Sequence, residues 1–182
     1  ANDYKFDRQP TLGKKSDIKR LKAIGDEGVS LLIAESLYAN EHKKMPSESV
    51  AREMLKDVML GVNAESKAMI VTTFSSHIAR LKSIVEFGKK LNREDVFLGR
   101  SLDKYSKAAI NAGIAPFLGD VNISKYRRQV EKTLHKVEKN RKKYLVVCTG
   151  HQGEPGSILE RMSRHQLPFK INKEDNLIFS SS

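Results

Sequence analysis

The sequence has a single cysteine, Cys148, no tryptophan, five prolines among 182 residues and no apolar run near 18 residues. A lone thiol excludes an internal disulfide framework, and without a long apolar run no segment reads as a membrane span. With no signal peptide to read, these absences point to a cytoplasmic protein with no membrane partner. Acidic residues are also in deficit: 22 Asp and Glu stand against 33 Lys and Arg, a formal charge of +11. That excess attracts polyanions, although charge alone does not separate nucleic acid from an acidic protein or a lipid surface. Metal-ligand patterns are missing too. The five histidines form no H-x-H pair, no H-E-x-x-H and no carboxylate cluster at ligand spacing, so a complete zinc site within these residues is not expected.

What is present suffices for about one domain: 39% of the residues are hydrophobic, and the 30% that are charged carry both signs. From Val29 to Ser182 apolar runs of strand length alternate with amphipathic runs of helix length. This pattern predicts an α/β fold, a largely parallel sheet with helices on both faces. The predicted strands are Val29–Ala34, Ala68–Thr73, Val96–Leu98, Leu145–Cys148 and Leu177–Phe179. One predicted helix opens at Pro46-Ser47, carries Val50, Met54, Leu55, Val58 and Met59 as an inward stripe, and closes at Gly61. Another places Ile78, Leu81, Ile84, Val85 and Leu91 inward, and a third turns Leu102, Tyr105, Ala109 and Ala112 inward. Between Asp120 and Tyr144 nine Lys or Arg stand against three acids. There Arg128, Lys132, Lys136, Lys139 and Lys143 share a helical face opposite Val130, Leu134 and Val137. That face is either solvated or a surface for a nucleic-acid backbone, positioning a strand without reading its bases.

Parallel strands deliver their C-terminal ends to one edge. Glu35-Ser36, Ser75-Ser76-His77, Arg100-Ser101, Thr149 to Glu154 and Ser180-Ser181-Ser182 are therefore expected to converge there. Helix N-termini, hydroxyls, guanidinium groups and glycine together suit phosphate, although any one Ser or Thr after a strand is also an ordinary helix cap. Arg80 and Arg161 each lie one turn into a helix that opens at this rim, and Arg100 stands at a helix start where it can fork two phosphate oxygens. The turn Thr149-Gly150-His151-Gln152-Gly153-Glu154 is the strongest local signal. It matches neither the Walker loop nor the dinucleotide glycine spacing. His77 and His151 are candidates for contact with phosphate or with a metal-bound water, whereas His42, His135 and His165 read as solvated. Cys148 lies within a predicted strand and reads as inert packing.

Taken in order, Asn2-Asp3-Tyr4-Lys5-Phe6-Asp7, Ala34-Glu35-Ser36, the run from Thr72 to Arg80, Gly99-Arg100-Ser101 and the run from Thr149 to Pro155 cover essentially the whole chain. The set resembles the β-CASP domain of the metallo-β-lactamase ribonucleases of the archaeal ribonuclease J type. The resemblance implies a two-zinc nuclease for single-stranded RNA in which the β-CASP domain clamps RNA over the metals, typically degrading it 5′ to 3′ from a 5′-monophosphate end, in a homodimeric parent. It aligns Asp3 with the family's metal-bridging carboxylate and Glu35 with a catalytic acid. Ser36, Ser75, Ser76, His77, Arg80, Arg100, Ser101, the 149–154 turn, Arg161 and the serines at 180–182 fall to RNA phosphate binding. It also divides the chain into residues 1–20, the tail of a metallo-β-lactamase-like domain, and residues 21–182, the β-CASP domain. The H-x-H-x-D-H half of the family is absent from this sequence, so activity is expected of a longer parent. A stand-alone nucleic-acid-binding module without catalysis, and a small-molecule phosphate enzyme of α/β type, are the competing readings.

Overall fold

The computed structural model describes residues 4–36, 39–42 and 45–180. In chain order the elements are helix α1 (Ile18–Glu27), helix α2 (Glu48–Gly61), strand β1 (Met69–Thr72), helix α3 (Ile78–Lys90), strand β2 (Glu94–Leu98) and helix α4 (Arg100–Asn111). Strand β3 (Asn122–Ser124), helix α5 (Arg127–Lys139), strand β4 (Tyr144–Cys148), helix α6 (Ile158–Ser163) and strand β5 (Asn176–Phe179) follow. The five strands form one sheet in the order β3-β2-β4-β1-β5, every neighbouring pair parallel. The α/β sheet expected from the alternating pattern is therefore present, with helices on both faces.

Side-chain alternation along the strands divides the core in two. Met69, Val71, Phe97, Leu145 and Val147 pack against α2, α3 and α4. Ile70, Val96, Leu98, Val146 and Cys148 point the other way, onto α5 and α6. A strand covered on both faces must be apolar at successive positions, which is why Tyr-Leu-Val-Val-Cys sits at the centre of the sheet. Burial pushes the Cys148 thiol up to about 12, so it stays protonated and packs as a small hydrophobe.

Local signals set the helix ends. Ser47 caps α2, its hydroxyl accepting from Ser49 N, while Asp7 accepts from Ser47 Oγ at 2.5 Å and Glu48 N at 2.7 Å. α5 opens where Gln129 Oε1 accepts from Lys125 N and Tyr126 N, both at 3.1 Å. Inside α3, Gly88 lets the helix approach the sheet, because a Cβ there would collide with Asp95 Oδ1 and stand 2.9 Å from Leu145 Cδ2.

Several expectations fail. Val29–Ala34 is not a strand: the segment is irregular, and Leu31 and Leu32 are 76% and 77% exposed. Strand composition makes a strand only where a partner supplies hydrogen bonds, and no strand of this sheet pairs with it. The stripe on α2 is half realised, with Leu55 and Met59 buried but Val50, Met54 and Val58 exposed. On α4 the inward face is Leu102, Asp103, Ser106 and Ala109, whereas Tyr105 and Ala112 face solvent. α1 and β3 went unread, α1 because it buries no residue and β3 because three residues carry no measurable period. Among the described residues no helix is long and apolar enough to cross a membrane.

Candidate nucleic-acid interface

All five strands end at one edge, so the chain that follows each of them lines a common rim. From one side of the sheet to the other these ends are Lys125-Tyr126-Arg127 after β3, Gly99-Arg100-Ser101 after β2, Thr149 to Glu154 after β4, Thr73 to His77 after β1 and Ser180 after β5. β2 and β4 are neighbours, yet α4 packs on one face of the sheet and α6 on the other. The crevice opened by such a divergence is where ligands of open α/β sheets bind. A cavity of about 510 Å³ lies there, lined by Arg100, Ser101, Tyr126, Arg127, Thr149 and Arg161 among others.

The electrostatics of this cavity are uneven. Lys125 is anchored: its Nζ lies 3.5 Å from Asp103 Oδ2, and Lys107 Nζ takes Asp103 Oδ1 at 2.8 Å. The hydrogen bond from Lys107 and the two nearby charges hold the Asp103 carboxyl below its ordinary value. Arg127 donates to Glu131 at 2.7 Å. By contrast no described residue hydrogen-bonds to or ion-pairs with the guanidinium of Arg100 or of Arg161. Arg100 and Arg161 therefore bring two guanidinium groups with free hydrogen-bond donors to one cavity.

The 149–154 turn is built by backbone needs. Gly153 N donates to Gly150 O at 3.1 Å, Leu159 N to Thr149 O at 3.2 Å, and Glu154 Oε2 accepts from Gln152 N at 3.1 Å. Gly150 has φ +124°, and a Cβ on it would stand 2.6 Å from Ser157 Oγ and 2.7 Å from Leu159 Cβ. Only glycine fits. His151 packs edge-on against Phe74, ring centroids 4.1 Å apart, and neither ring nitrogen has a hydrogen-bond partner among the described residues.

On the β1 and β5 side the rim is a closed network. Arg80 is buried, donating from Nε and Nη2 to the two Glu48 oxygens at 2.7 and 3.1 Å and from Nη1 to Ser180 Oγ at 2.8 Å. His77 Nε2 lies 3.2 Å from Glu48 Oε2. Burial pushes the Glu48 carboxyl up, but the hydrogen bonds from His77 and Arg80 and their charges outweigh it and bring it to about 2.

Of the residues expected at the rim, Ser75, Ser76, His77, Arg100, Ser101, Thr149, Gly150, His151, Gln152, Gly153, Glu154, Arg161 and Ser180 follow β1, β2, β4 or β5 and are gathered on that edge. Arg80 is corrected: its guanidinium is spent inside the fold on Glu48 and Ser180, and Ser180 is buried with it. For Glu35 and Ser36 only the expected delivery is corrected: they follow the irregular 29–34 segment, so no strand of this sheet ends in front of them. Asp3, Ser181 and Ser182 lie outside the described residues. Among the described residues no group of three or more His, Cys, Asp or Glu could hold a metal ion. Sequence reasoning missed Lys125, Tyr126 and Arg127, which came to the rim with the unread β3. It also missed Glu48, whose partners lie 29 and 32 residues away; for the first three no local signal was available, because a tyrosine at the helix start does not match the capping pattern.

The model of the ribonuclease J beta-CASP domain matches residues 66–182. Across the chain's whole length the sequence is 44% identical to Ribonuclease J of Pyrococcus abyssi and 39% identical to Ribonuclease J of Methanocaldococcus jannaschii, covering 40% and 41% of those proteins. It is 32% identical to Ribonuclease J of Thermus thermophilus, again over the whole chain and 30% of the relative. The chain thus spans about two fifths of its archaeal relatives' length. The parallel sheet with its rim of phosphate-suited junctions and the match over residues 66–182 agree: this chain belongs to the ribonuclease J family, through its β-CASP domain.

Proposed function

We propose that the chain is the RNA-clamping part of a ribonuclease J-type enzyme, holding the backbone of single-stranded RNA along the C-terminal edge of its sheet. The observation that carries this reading is the pair of uncommitted guanidinium groups, Arg100 and Arg161, on one cavity at the β2–β4 crevice. Every other arginine with a described side-chain contact on this rim is engaged internally, as Arg80 and Arg127 are. Free guanidinium donors at a strand-end crevice match the charge and the forked geometry of a phosphodiester. The +11 charge adds a long-range field of the same sign.

In the parent protein we assign hydrolysis of RNA, 5′ to 3′ from a 5′-monophosphate end, to zinc ions held outside the described residues; Asp3 would contribute to that centre and Glu35 would act as the acid beside it. The role of this chain's own residues is positional: to hold the sugar-phosphate strand in register, so that the reacting bond is presented in one geometry. A cytoplasmic homodimer is the expected form of that parent.

Salt-dependent binding of single-stranded RNA tests the reading. Log affinity should fall linearly with log salt, and Arg100→Ala or Arg161→Ala should each cost about 1–3 kcal/mol of binding. A salt-independent affinity, or both variants within about 0.5 kcal/mol of wild type, overturns it. For the parent, zinc- or manganese-dependent release of mononucleotides from 5′-monophosphorylated RNA is the measurement, and absence of product rejects the catalytic assignment.

A further inference from the structure

The cavity at the β2–β4 crevice contains an exposed aromatic side chain that phosphate binding does not explain. Tyr126 lines it together with Arg100 and Arg161 and is 58% exposed. More than half of the residue is open to water, and an aromatic side chain left so keeps apolar surface hydrated unless something covers it. Its neighbours hold it in place. Gln129 fixes its backbone N–H, α5 begins at the next residue, and Lys125 Nζ stands 5.0 Å from its ring centroid over one face, itself tied to Asp103. No aromatic side chain stacks on Tyr126: the ring pairs among the described residues are Tyr4 with Phe6 and Phe74 with His151.

We propose that this cavity is a subsite for one unpaired nucleotide, its base stacked on Tyr126 and its phosphate held between Arg100 and Arg161. The proposal rests on the RNA-binding reading and deepens it by naming what the cavity selects. An aromatic face is of no use to a bare phosphate, whereas a nucleotide offers both a π-face and an anion. At about 510 Å³ the cavity is in the range of roughly 300–1,000 Å³ that small ligands occupy. Stacking is available only to a base freed from a duplex, so Tyr126 makes the rim selective for single strands, which backbone contacts alone do not achieve. Because every base has a π-face, the subsite tolerates any sequence.

The test compares two probes on the 182-residue chain: a fluorescently labelled oligoadenylate and an abasic strand of the same length and charge. Tyr126→Ala should weaken oligoadenylate binding by about 5- to 150-fold, the range of one base–aromatic stack, and leave abasic binding within about twofold. Tyr126→Phe, which keeps the ring, should bind oligoadenylate within about twofold of wild type. Thermal unfolding of Tyr126→Ala should match wild type, because the side chain is exposed and the helix cap uses backbone. Equal losses on the two probes, or no loss on either, overturn the stacking subsite. If Arg100→Ala and Arg161→Ala weaken binding of both probes while Tyr126→Ala changes neither, the stacking assignment alone fails. If the arginine variants also bind as wild type does, the phosphate reading fails with it.

Discussion

Arg80→Ala separates a surface ligand from a buried ion pair. Two routes give the magnitude. Glu48 sits at about 2 instead of its ordinary 4.5, a displacement of about 3 kcal/mol that His77 and Arg80 share, so it is a ceiling on what Arg80 alone contributes by this route. Independently, removing one partner of a buried, doubly hydrogen-bonded pair typically costs about 3–5 kcal/mol, because the remaining charge loses its compensation. We expect Arg80→Ala to lose about 3–5 kcal/mol of unfolding free energy in urea at pH 7, and Arg80→Ala combined with Glu48→Gln to recover part of it, since no unpaired carboxylate remains. The pH dependence carries a sign. The folded-state value of Glu48 is lowered, so its contribution is complete above about pH 4.5 and is lost as pH falls toward about 2. The variant should lose the Arg80 share of that acid limb and keep the share that His77 supplies. RNA affinity of the folded variant should stay within about twofold of wild type. A loss under about 1 kcal/mol together with a tenfold drop in RNA affinity would refute this account and return Arg80 to the rim as a phosphate ligand.

Asp95 is pushed up to about 7 by burial, opposed by the charge of Lys89, and its Oδ1 has no hydrogen-bond partner among the described residues. Because this acid is raised in the folded state, stability should fall as pH rises from about 4 to about 7, and Asp95→Asn should stabilise by about 1–3 kcal/mol at pH 8 but little at pH 4; equal effects at both pH values count against it. Gly88→Ala should cost about 1–3 kcal/mol in denaturant melts by driving a methyl into Asp95 and Leu145, whereas Gly61→Ala, with nothing within 4 Å of the added Cβ, should be neutral or mildly stabilising. Matching melts for the two variants would show that the helix–sheet approach is not tight. Replacing Lys132 and Lys136 by Ala should shrink the salt slope of RNA binding by up to about two if the exposed face of α5 touches the strand, and an unchanged slope assigns those lysines to solvent.

What could be read in advance was local. Successive apolar residues at Met69–Thr72 and Tyr144–Cys148 require cover on both faces, and the helical periods of α3 and α5 supply it, so an α/β sheet follows from pattern alone. Parallel strands share a C-terminal edge, so the junctions at Ser75-Ser76-His77, Arg100-Ser101 and Thr149 to Glu154 were bound to meet. The Gly150 turn was visible because it needs glycine whatever surrounds it.

The fate of individual side chains was decided by elements far apart in the chain. Arg80 reads as a rim cation until Glu48, 32 residues upstream, is found against it. Leu31 and Leu32 read as a strand, but pairing depends on a neighbour that composition does not name. Tyr126 gained a cavity only because a three-residue strand at the edge of the sheet carried it beside Arg100. Periodicity and turn chemistry act over a few residues and so can be read along the chain. Burial, ion pairing and the shape of a cavity arise between segments, and only the packed molecule sets them.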